Sequence, residues 1–156
     1  MLKSISSVFG VVVGVMLSVF AFAQDLTREQ VMDVVNRVDA AAEVRNAGAV
    51  GDALASDVKI TINVDYMGQP QVMHATKNEY VAMLREGWAM YSEYKFEKSN
   101  LNIELEGSKA YVTADVYETM VLQGHRLTGT TKENAVIELI DGKALITEIV
   151  GHSEIQ

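Results

Sequence analysis

The strongest structural signal in this chain lies in residues 101–150, LNIELEGSKAYVTADVYETMVLQGHRLTGTTKENAVIELIDGKALITEIV. Apolar and polar residues alternate along most of this stretch, which is the pattern of half-buried β-strands. Two-residue turn signals interrupt the alternation at Gly107-Ser108, Gly124-His125 and Asp141-Gly142. The stretch therefore predicts an antiparallel meander that begins at Leu101 and continues in three further strands, at 110–121, 127–140 and 144–150.

The same turns predict which residues of neighbouring strands lie opposite each other. The predicted pairs include Leu105–Ala110 and Leu101–Ala114 across the first turn, Glu118–Thr131 across the second, and Leu139–Ala144 and Ala135–Glu148 across the third. All three registers place aliphatic side chains on one face, and a slip of one residue would turn every side chain to the other face. We expect this face to be concave and covered by helices.

The concave face has an aliphatic end and a polar end. The aliphatic end contains Leu101, Ile103, Leu105, Ala110, Val112, Ile137, Leu139 and Ile146. The polar end contains Glu118, Thr131, Glu133, Glu148 and His152. An apolar pocket with a few convergent polar groups is typical of a small-molecule site. The residues predicted to line such a pocket are Glu118, Thr131, Glu148, Val112, Ala114, Val116, Ile137 and Trp88.

Helices are predicted before the meander. Thr27 with Gln30 and Thr76 with Glu79 form capping boxes, and each box is followed by apolar residues at helical spacing. Between the two helices, residues 58–64 alternate as a strand and residues 71–74 form a short return strand. This order predicts an α+β architecture in which N-terminal helices pack on a curved, mostly antiparallel sheet.

The element order over residues 26–152 resembles the nuclear transport factor 2-like (cystatin-like α+β cone) superfamily, in its SnoaL-like and ketosteroid isomerase-like branch. The resemblance also rests on Ala55-Ser56-Asp57-Val58-Lys59-Ile60 before the first strand and on the late turn Ile140-Asp141-Gly142-Lys143. It implies a cone-shaped sheet with an internal pocket. It also implies a homodimer formed through the outer face, because members of the superfamily often dimerise there.

The resemblance implies no inherited catalytic site. A ketosteroid isomerase-like site has a general-base Asp at the end of the first strand, and the matching position here holds Ile62 or Asn63. Neither side chain can accept a proton usefully. No serine nucleophile elbow, phosphate loop or dense metal motif is present in the sequence, so we expect no cofactor and no resident metal.

Glu133 and His152 are nevertheless a candidate catalytic pair, because a carboxylate and an imidazole can share general acid–base work. Two other interpretations stay open. The polar residues could bind a divalent cation, or they could face solvent at the mouth of the cone and pair with Arg37, Arg45 or Arg85. If Glu118, Glu133 and Glu148 lie together, their mutual repulsion should raise the pKa of at least one of them.

Residues 1–23 predict a secretory signal peptide. Lys3 supplies a positive charge, residues 8–22 are mostly apolar, and Ala21-Phe22-Ala23 is a small-x-small cleavage site. The apolar run is too short to span a bilayer and no stop-transfer pattern follows it. We therefore expect a single domain at 24–156 that is periplasmic or secreted and is not inserted in a membrane after cleavage.

The composition restricts the partners of this domain. The net charge is −8, and loss of Lys3 with the signal peptide would make it −9. Nucleic acids and anionic membranes would repel such a surface. The chain contains no cysteine, which excludes disulfides and thiol chemistry.

Three functions remain open at this level. The first is an exported small-molecule-binding or accessory domain with an apolar pocket. The second is a lyase, isomerase or hydrolase that acts on a small hydrophobic substrate, and the third is a protein–protein module of an envelope complex.

The predicted outer face of the sheet is more apolar than a freely solvated surface and predicts a homodimer. Its residues are Tyr111, Thr113, Asp115, Tyr117, Val136, Leu145 and Ile149.

Overall fold

The computed structural model describes residues 24–156, so the predicted signal peptide at 1–23 lies outside the described residues. The three helices are α1 (Arg28–Glu43), α2 (Ala47–Asp52) and α3 (Lys77–Met90). The six strands are β1 (Leu54–Tyr66), β2 (Gln69–Ala75), β3 (Tyr91–Glu106), β4 (Lys109–Leu122), β5 (His125–Ile140) and β6 (Lys143–Ile155).

Both predicted capping boxes are present. The Gln30 backbone N–H donates to Thr27 Oγ1 at 3.2 Å, and the Thr27 backbone N–H donates to Gln30 Oε1 at 2.9 Å. At α3 the Thr76 backbone N–H donates to Glu79 Oε2 at 2.8 Å. These contacts satisfy backbone groups that the first turn of a helix leaves unpaired, which is why α1 and α3 begin where the sequence predicts.

The six strands form one sheet in the order β2-β1-β6-β5-β4-β3. All neighbouring pairs are antiparallel except β1 and β6, which run parallel. The predicted α+β architecture, with N-terminal helices on a curved and mostly antiparallel sheet, is confirmed.

The core lies between α1 and the inner face of the sheet. Its largest fully buried side chains are Leu54, Ile137, Val31 and Val34. Burial of each such side chain stabilises the fold by about 1.5–3 kcal/mol. A second apolar cluster joins Trp88 of α3 to Ala41, Ala47 and Val50 of the first two helices.

The turn between β4 and β5 differs from its predicted position by one residue. Its central residues are Gln123 and Gly124, with φ of 52° and 82°, as a type I′ turn requires. Glu118 therefore pairs with Gly129, and the predicted pairing with Thr131 is wrong. Every partner moves by two positions along β5, so each side chain stays on its predicted face.

The Asp141-Gly142 turn is confirmed, and Leu139 pairs with Ala144 as predicted. The predicted register holds for two more pairs, as far as Ile137 with Ile146, and then fails at a β-bulge in β6. Ile137 pairs with Ile146, but the next pair is Val136 with Glu148, which leaves Thr147 as an extra residue. From this point each side chain of β6 lies on the face opposite to the one predicted.

A second bulge interrupts β3. Ser99 pairs with Asp115 and Asn102 with Thr113, so two residues of β3 oppose Ala114 alone. The predicted regular pair of Leu101 with Ala114 is therefore replaced by a bulge, in which Asn100 and Leu101 together lie opposite Ala114. Asn100 has a φ of 52° within this bulge, a left-handed conformation that Asn adopts more readily than most residues.

Candidate ligand-binding site

An apolar cavity of about 90 Å³ lies beneath α1 on the inner face of the sheet. Its walls are aliphatic, because α1 presents valines at helical spacing and the central strands present alternate small and branched residues. They include Val34, Val35, Val38, Val112, Ala114, Ala135, Ile137, Ile146 and Ile149. We call this cavity the aliphatic lobe.

A second cavity of about 130 Å³ adjoins the first, since Val38, Val50, Tyr80, Lys98 and Glu133 line both. Its remaining walls combine aromatic and acidic side chains. They include Asp39, Trp88, Tyr94, Phe96 and Glu118. We call this cavity the polar lobe.

Lys98 stands at the junction of the two lobes, and only 17% of its side chain is exposed. Its Nζ lies 2.5 Å from Asp39 Oδ1 of α1 and 3.7 Å from Glu133 Oε2 of β5. The contact with Asp39 is a charge-assisted hydrogen bond, whereas the contact with Glu133 is longer than an ordinary hydrogen bond. Lys98 therefore compensates Asp39 directly and Glu133 only in part.

Glu133 lies deep within the fold, yet 44% of its side chain is accessible because it faces the two lobes. Burial raises the pKa of this carboxyl, the positive charge of Lys98 lowers it, and the negative charges of Asp39 and Glu118 raise it again. The net shift is upward, so Glu133 holds a proton more readily than a free glutamate does.

Tyr94 and Tyr80 supply phenolic hydroxyl groups to the polar lobe. The Tyr94 hydroxyl donates to Glu118 Oε1 at 2.6 Å. Burial raises the pKa of both tyrosines, and the charges of Glu118 and Glu133 raise it further. Both hydroxyls therefore stay protonated at physiological pH.

Aromatic rings form one wall of the polar lobe. The Tyr94 ring centroid lies 6.0 Å from that of Trp88 and 6.3 Å from that of Phe96. Trp88 is buried, and its main-chain carbonyl accepts a hydrogen bond from Arg45 at 3.4 Å. Burial of Trp88 and its hydrogen bond with Arg45 therefore hold this wall in place.

No protein-family model matches the sequence, and no characterised protein matches it either. Many solved structures are similar in fold, and three crystal structures serve as examples. A proposed scytalone dehydratase from Novosphingobium aromaticivorans has a TM-score of 0.68 at 10% identity, over 82% of this chain and 85% of the other. A type 2 hexachlorocyclohexane dehydrochlorinase, LinA, has a TM-score of 0.65 at 18% identity, over 80% and 82%.

A protein from Cytophaga hutchinsonii described as nuclear transport factor 2-like has a TM-score of 0.64 at 16% identity, over 81% of this chain and 98% of its own. The chain has the nuclear transport factor 2-like fold. At these identities the likeness concerns the fold alone, and the resemblance noted in the sequence is confirmed at that level.

Several predicted pocket residues lie together inside the nuclear transport factor 2-like cone. The aliphatic lobe contains Val112, Ala114 and Ile137, and the polar lobe contains Val116, Glu118, Glu133 and Trp88. Thr131 lies on the same face between Val116 and Ser153, and its hydroxyl is 2.8 Å from that of Ser153.

Two predicted site residues lie outside the cone, and their placement is corrected by the structure. Glu148 pairs with Val136 on the outer face, and His152 pairs with Lys132 on that face as well. The Thr147 bulge is the physical reason, because it reverses the face of every later residue of β6. His152 therefore does not lie beside Glu133, and the proposed Glu133–His152 pair is wrong in geometry.

The same bulge brings Ile149 into the aliphatic lobe, so the prediction that Ile149 lies on the outer face is also wrong. His152 instead borders an open groove of about 680 Å³ on the outer face, with Asp115, Tyr117 and Lys132.

Within residues 24–156, no group of three or more His, Asp or Glu side chains is placed to hold a metal ion. None of the helices in that range is long and apolar enough to cross a membrane.

The sequence prediction missed Asp39, Lys98 and Tyr94, which complete the polar lobe. Asp39 follows Val38 of the α1 apolar stripe, and a charge beside a stripe is usually solvated. Lys98 and Tyr94 alternate with Glu97 and Lys95, so that β3 segment has no clear apolar face. An available signal was the spacing Tyr94-x-Phe96-x-Lys98, which places an amine beside two rings on one face.

Proposed function

We propose that this chain is an exported, non-catalytic protein that binds a small molecule with an apolar body. The observation that carries the proposal is the two-lobed cavity inside the cone, aliphatic at one end and polar at the other. Binding sites of this kind combine an apolar surface with a few polar groups that orient the ligand. The predicted signal peptide at 1–23 supports a periplasmic or secreted location.

The side chains around Glu133 favour binding over catalysis. Asp39 and Lys98 are engaged with each other, and Glu118 accepts a hydrogen bond from Tyr94. No imidazole lines either lobe among the described residues. A proton relay from Glu133 to a histidine, which the sequence suggested, therefore has no partner inside the cone.

Native mass spectrometry of the full chain, exported and purified from its own host, tests this proposal. We expect a bound apolar passenger in the wild-type protein. Ala135→Leu should reduce the passenger, because the larger side chain fills the aliphatic lobe, whereas Ala40→Leu on the exposed face of α1 should not. A wild-type protein without a passenger, or equal occupancy in both variants, would contradict the proposal.

A second candidate is an elimination catalyst that uses Glu133 as its general base. The raised pKa of Glu133 favours it, because a base with a pKa nearer neutrality takes a proton more effectively at neutral pH. The names of two similar proteins, a proposed dehydratase and a dehydrochlorinase, both describe eliminations. Chloride release from hexachlorocyclohexane that is lost in Glu133→Gln would support this function; absence of release would count against it.

A further inference from the structure

We propose that the polar lobe binds the cationic head group of a small organic ammonium compound, while its apolar body occupies the aliphatic lobe. This inference rests on the proposed binding function and names the class of ligand. It depends on the charges, the aromatic wall and the lining residues that the two adjoining lobes share.

The charges of the polar lobe do not balance. Three carboxylates line it, those of Asp39, Glu118 and Glu133, against the single ammonium of Lys98. Asp39 and Lys98 form a close pair at 2.5 Å and so cancel each other's charge. Glu118 has a hydroxyl partner, which is neutral, and Glu133 has only the distant contact with Lys98. The lobe therefore retains negative charge that a ligand cation would offset.

Arg45, which contacts the backbone behind the aromatic wall, does not supply that cation. Arg45 of the α1–α2 connection donates to the main-chain carbonyls of Tyr91, at 2.9 Å, and Trp88, at 3.4 Å. Its guanidinium is therefore directed to the backbone at the start of β3. Among the residues that line the polar lobe in the described chain, Lys98 is the only basic one.

The aromatic wall fits the same kind of ligand. The rings of Trp88, Tyr94 and Phe96 are neighbours, and the Tyr80 side chain lines both lobes. The face of an aromatic ring attracts a cation, and quaternary ammonium groups are recognised by such rings together with carboxylates. Because the tyrosines of the lobe stay protonated, they are neutral, and the negative charge of the lobe comes from its carboxylates alone.

An organic cation fits this lobe better than a metal ion does. A divalent metal requires several oxygen ligands at about 2.0–2.6 Å, and the described carboxylates are not clustered in that way. A substituted ammonium group needs no such coordination. Its attached carbon chain can extend past Lys98 into the aliphatic lobe, since the two cavities share that boundary.

Isothermal titration calorimetry with choline and with 3,3-dimethylbutan-1-ol tests the inference. The alcohol has the shape of choline but carries no charge. We expect the exported full-length protein, freed of passenger, to bind choline about tenfold or more tightly than the alcohol. Glu118→Gln and Glu133→Gln should each weaken choline binding and leave alcohol binding unchanged. The matched control is Glu148→Gln on the outer face, which should alter neither.

The outcomes separate the two proposals. Equal binding of choline and the alcohol would overturn the cation proposal and support a general small-molecule site. Binding of neither compound would also overturn the cation proposal, and the Ala135→Leu passenger experiment would then decide the binding function by itself. Choline binding that is unaffected by both lobe variants would place the cation elsewhere and overturn the proposal as well.

Discussion

Glu133 occupies a position that most carboxylates avoid. It lies deep on the inner face of β5, and the charges of Asp39 and Glu118 oppose its ionisation while Lys98 favours it. The sequence predicted from the alternation of β4 and β5 that crowded glutamates on this face raise the pKa of at least one of them. Glu118 and Glu133 do line one lobe, and the pKa of Glu133 is raised by burial and by neighbouring negative charge. Burial is the larger cause, and the third predicted member of the cluster, Glu148, lies on the other face.

Glu133→Gln should stabilise the protein increasingly as the pH rises from about 4 to about 7. The folded state holds the Glu133 proton more tightly than the unfolded chain, whose pKa is about 4.3, so wild-type stability falls as the pH rises through the folded pKa. Glutamine does not titrate and lacks this loss. Because the carboxylate is partly solvated, we expect a difference below about 1 kcal/mol. Urea unfolding across this range measures it.

Glu148→Gln serves as the control for that experiment, because Glu148 lies on the exposed outer face. Its stability, measured over the same range, gives the effect of removing a carboxylate from the outer face. A Glu133→Gln stability difference that does not grow between about pH 4 and about pH 7 would contradict the prediction.

The residues of the lobes differed in how readily they could be predicted. Glu118 and Glu133 follow from alternation within their own strands, because each strand carries its own face pattern. Asp39 and Lys98 belong to a helix and a strand that meet only after folding, and the two residues are 59 positions apart in the chain. No local period reports such a contact, and so the ion pair could not be deduced.

At the level of single elements, the bulges explain most of the errors. The turns of the meander were located to within one residue, because Gly and Asp mark left-handed positions. The bulge in β6 was missed although Ile146 and Ile149 lie three positions apart with two polar residues between them. In a regular strand, inward-facing residues recur at every second position, so that spacing requires one extra residue.

Deletion of Thr147 should therefore be tolerated. Without it, Ile146 and Glu148 would be adjacent in the chain, opposite Ile137 and Val136, and the later pairs of β6 would keep their present partners. The loss includes the Thr147 hydrogen bond to Glu138 at 2.6 Å and the local bend, for which we expect about 1–3 kcal/mol. Cooperative thermal unfolding, followed by circular dichroism, measures this.

Deletion of Thr130 is the matched control, because Thr130 lies in a regular part of β5 opposite Tyr117 and Glu154. Removing it should shift the alternation of β5 by one residue, so that the side chains of the segment before or after position 130 lie on the wrong face of the sheet. We expect this deletion to abolish cooperative unfolding. If the Thr147 deletion were as damaging as the Thr130 deletion, the bulge would be essential to the sheet.

For the whole molecule, the exposed outer face of the sheet bears on self-association. Tyr111 and Tyr117 project from β4 with 41% and 47% of their surface exposed. Large aromatic side chains in such a position are enriched at protein interfaces. We propose, as the family resemblance implies, that two copies associate through this face.

Tyr117→Asp should convert the dimer to a monomer, because a charge would be buried without a partner in the interface. Analytical ultracentrifugation at micromolar concentration measures the change. Met67→Asp is the control, since Met67 lies in the exposed turn between β1 and β2 and carries the same new charge away from the face. A wild-type protein that is monomeric at this concentration would contradict the proposal.

The sequence was sufficient to predict the overall architecture but not the order of the strands in the sheet. Helices, hairpin and meander follow from local periods and predict the α+β class, whereas the cone was implied by the resemblance to a known superfamily. The parallel pairing of β1 with β6 did not, because it joins strands from opposite halves of the chain, and single-sequence patterns carry no information on such distant partners.

The β1–β6 pair also affects how fast the chain folds. Ile60 pairs with Ile149, so the middle of the sheet closes only when strands from both halves of the chain are available. Long-range pairing of this kind slows folding, to the order of milliseconds to seconds in small domains rich in such contacts. Until β6 docks, the facing edges of β1 and β5 have unpaired backbone groups, which can pair with other chains. The interval before that docking is therefore when this protein is most exposed to aggregation.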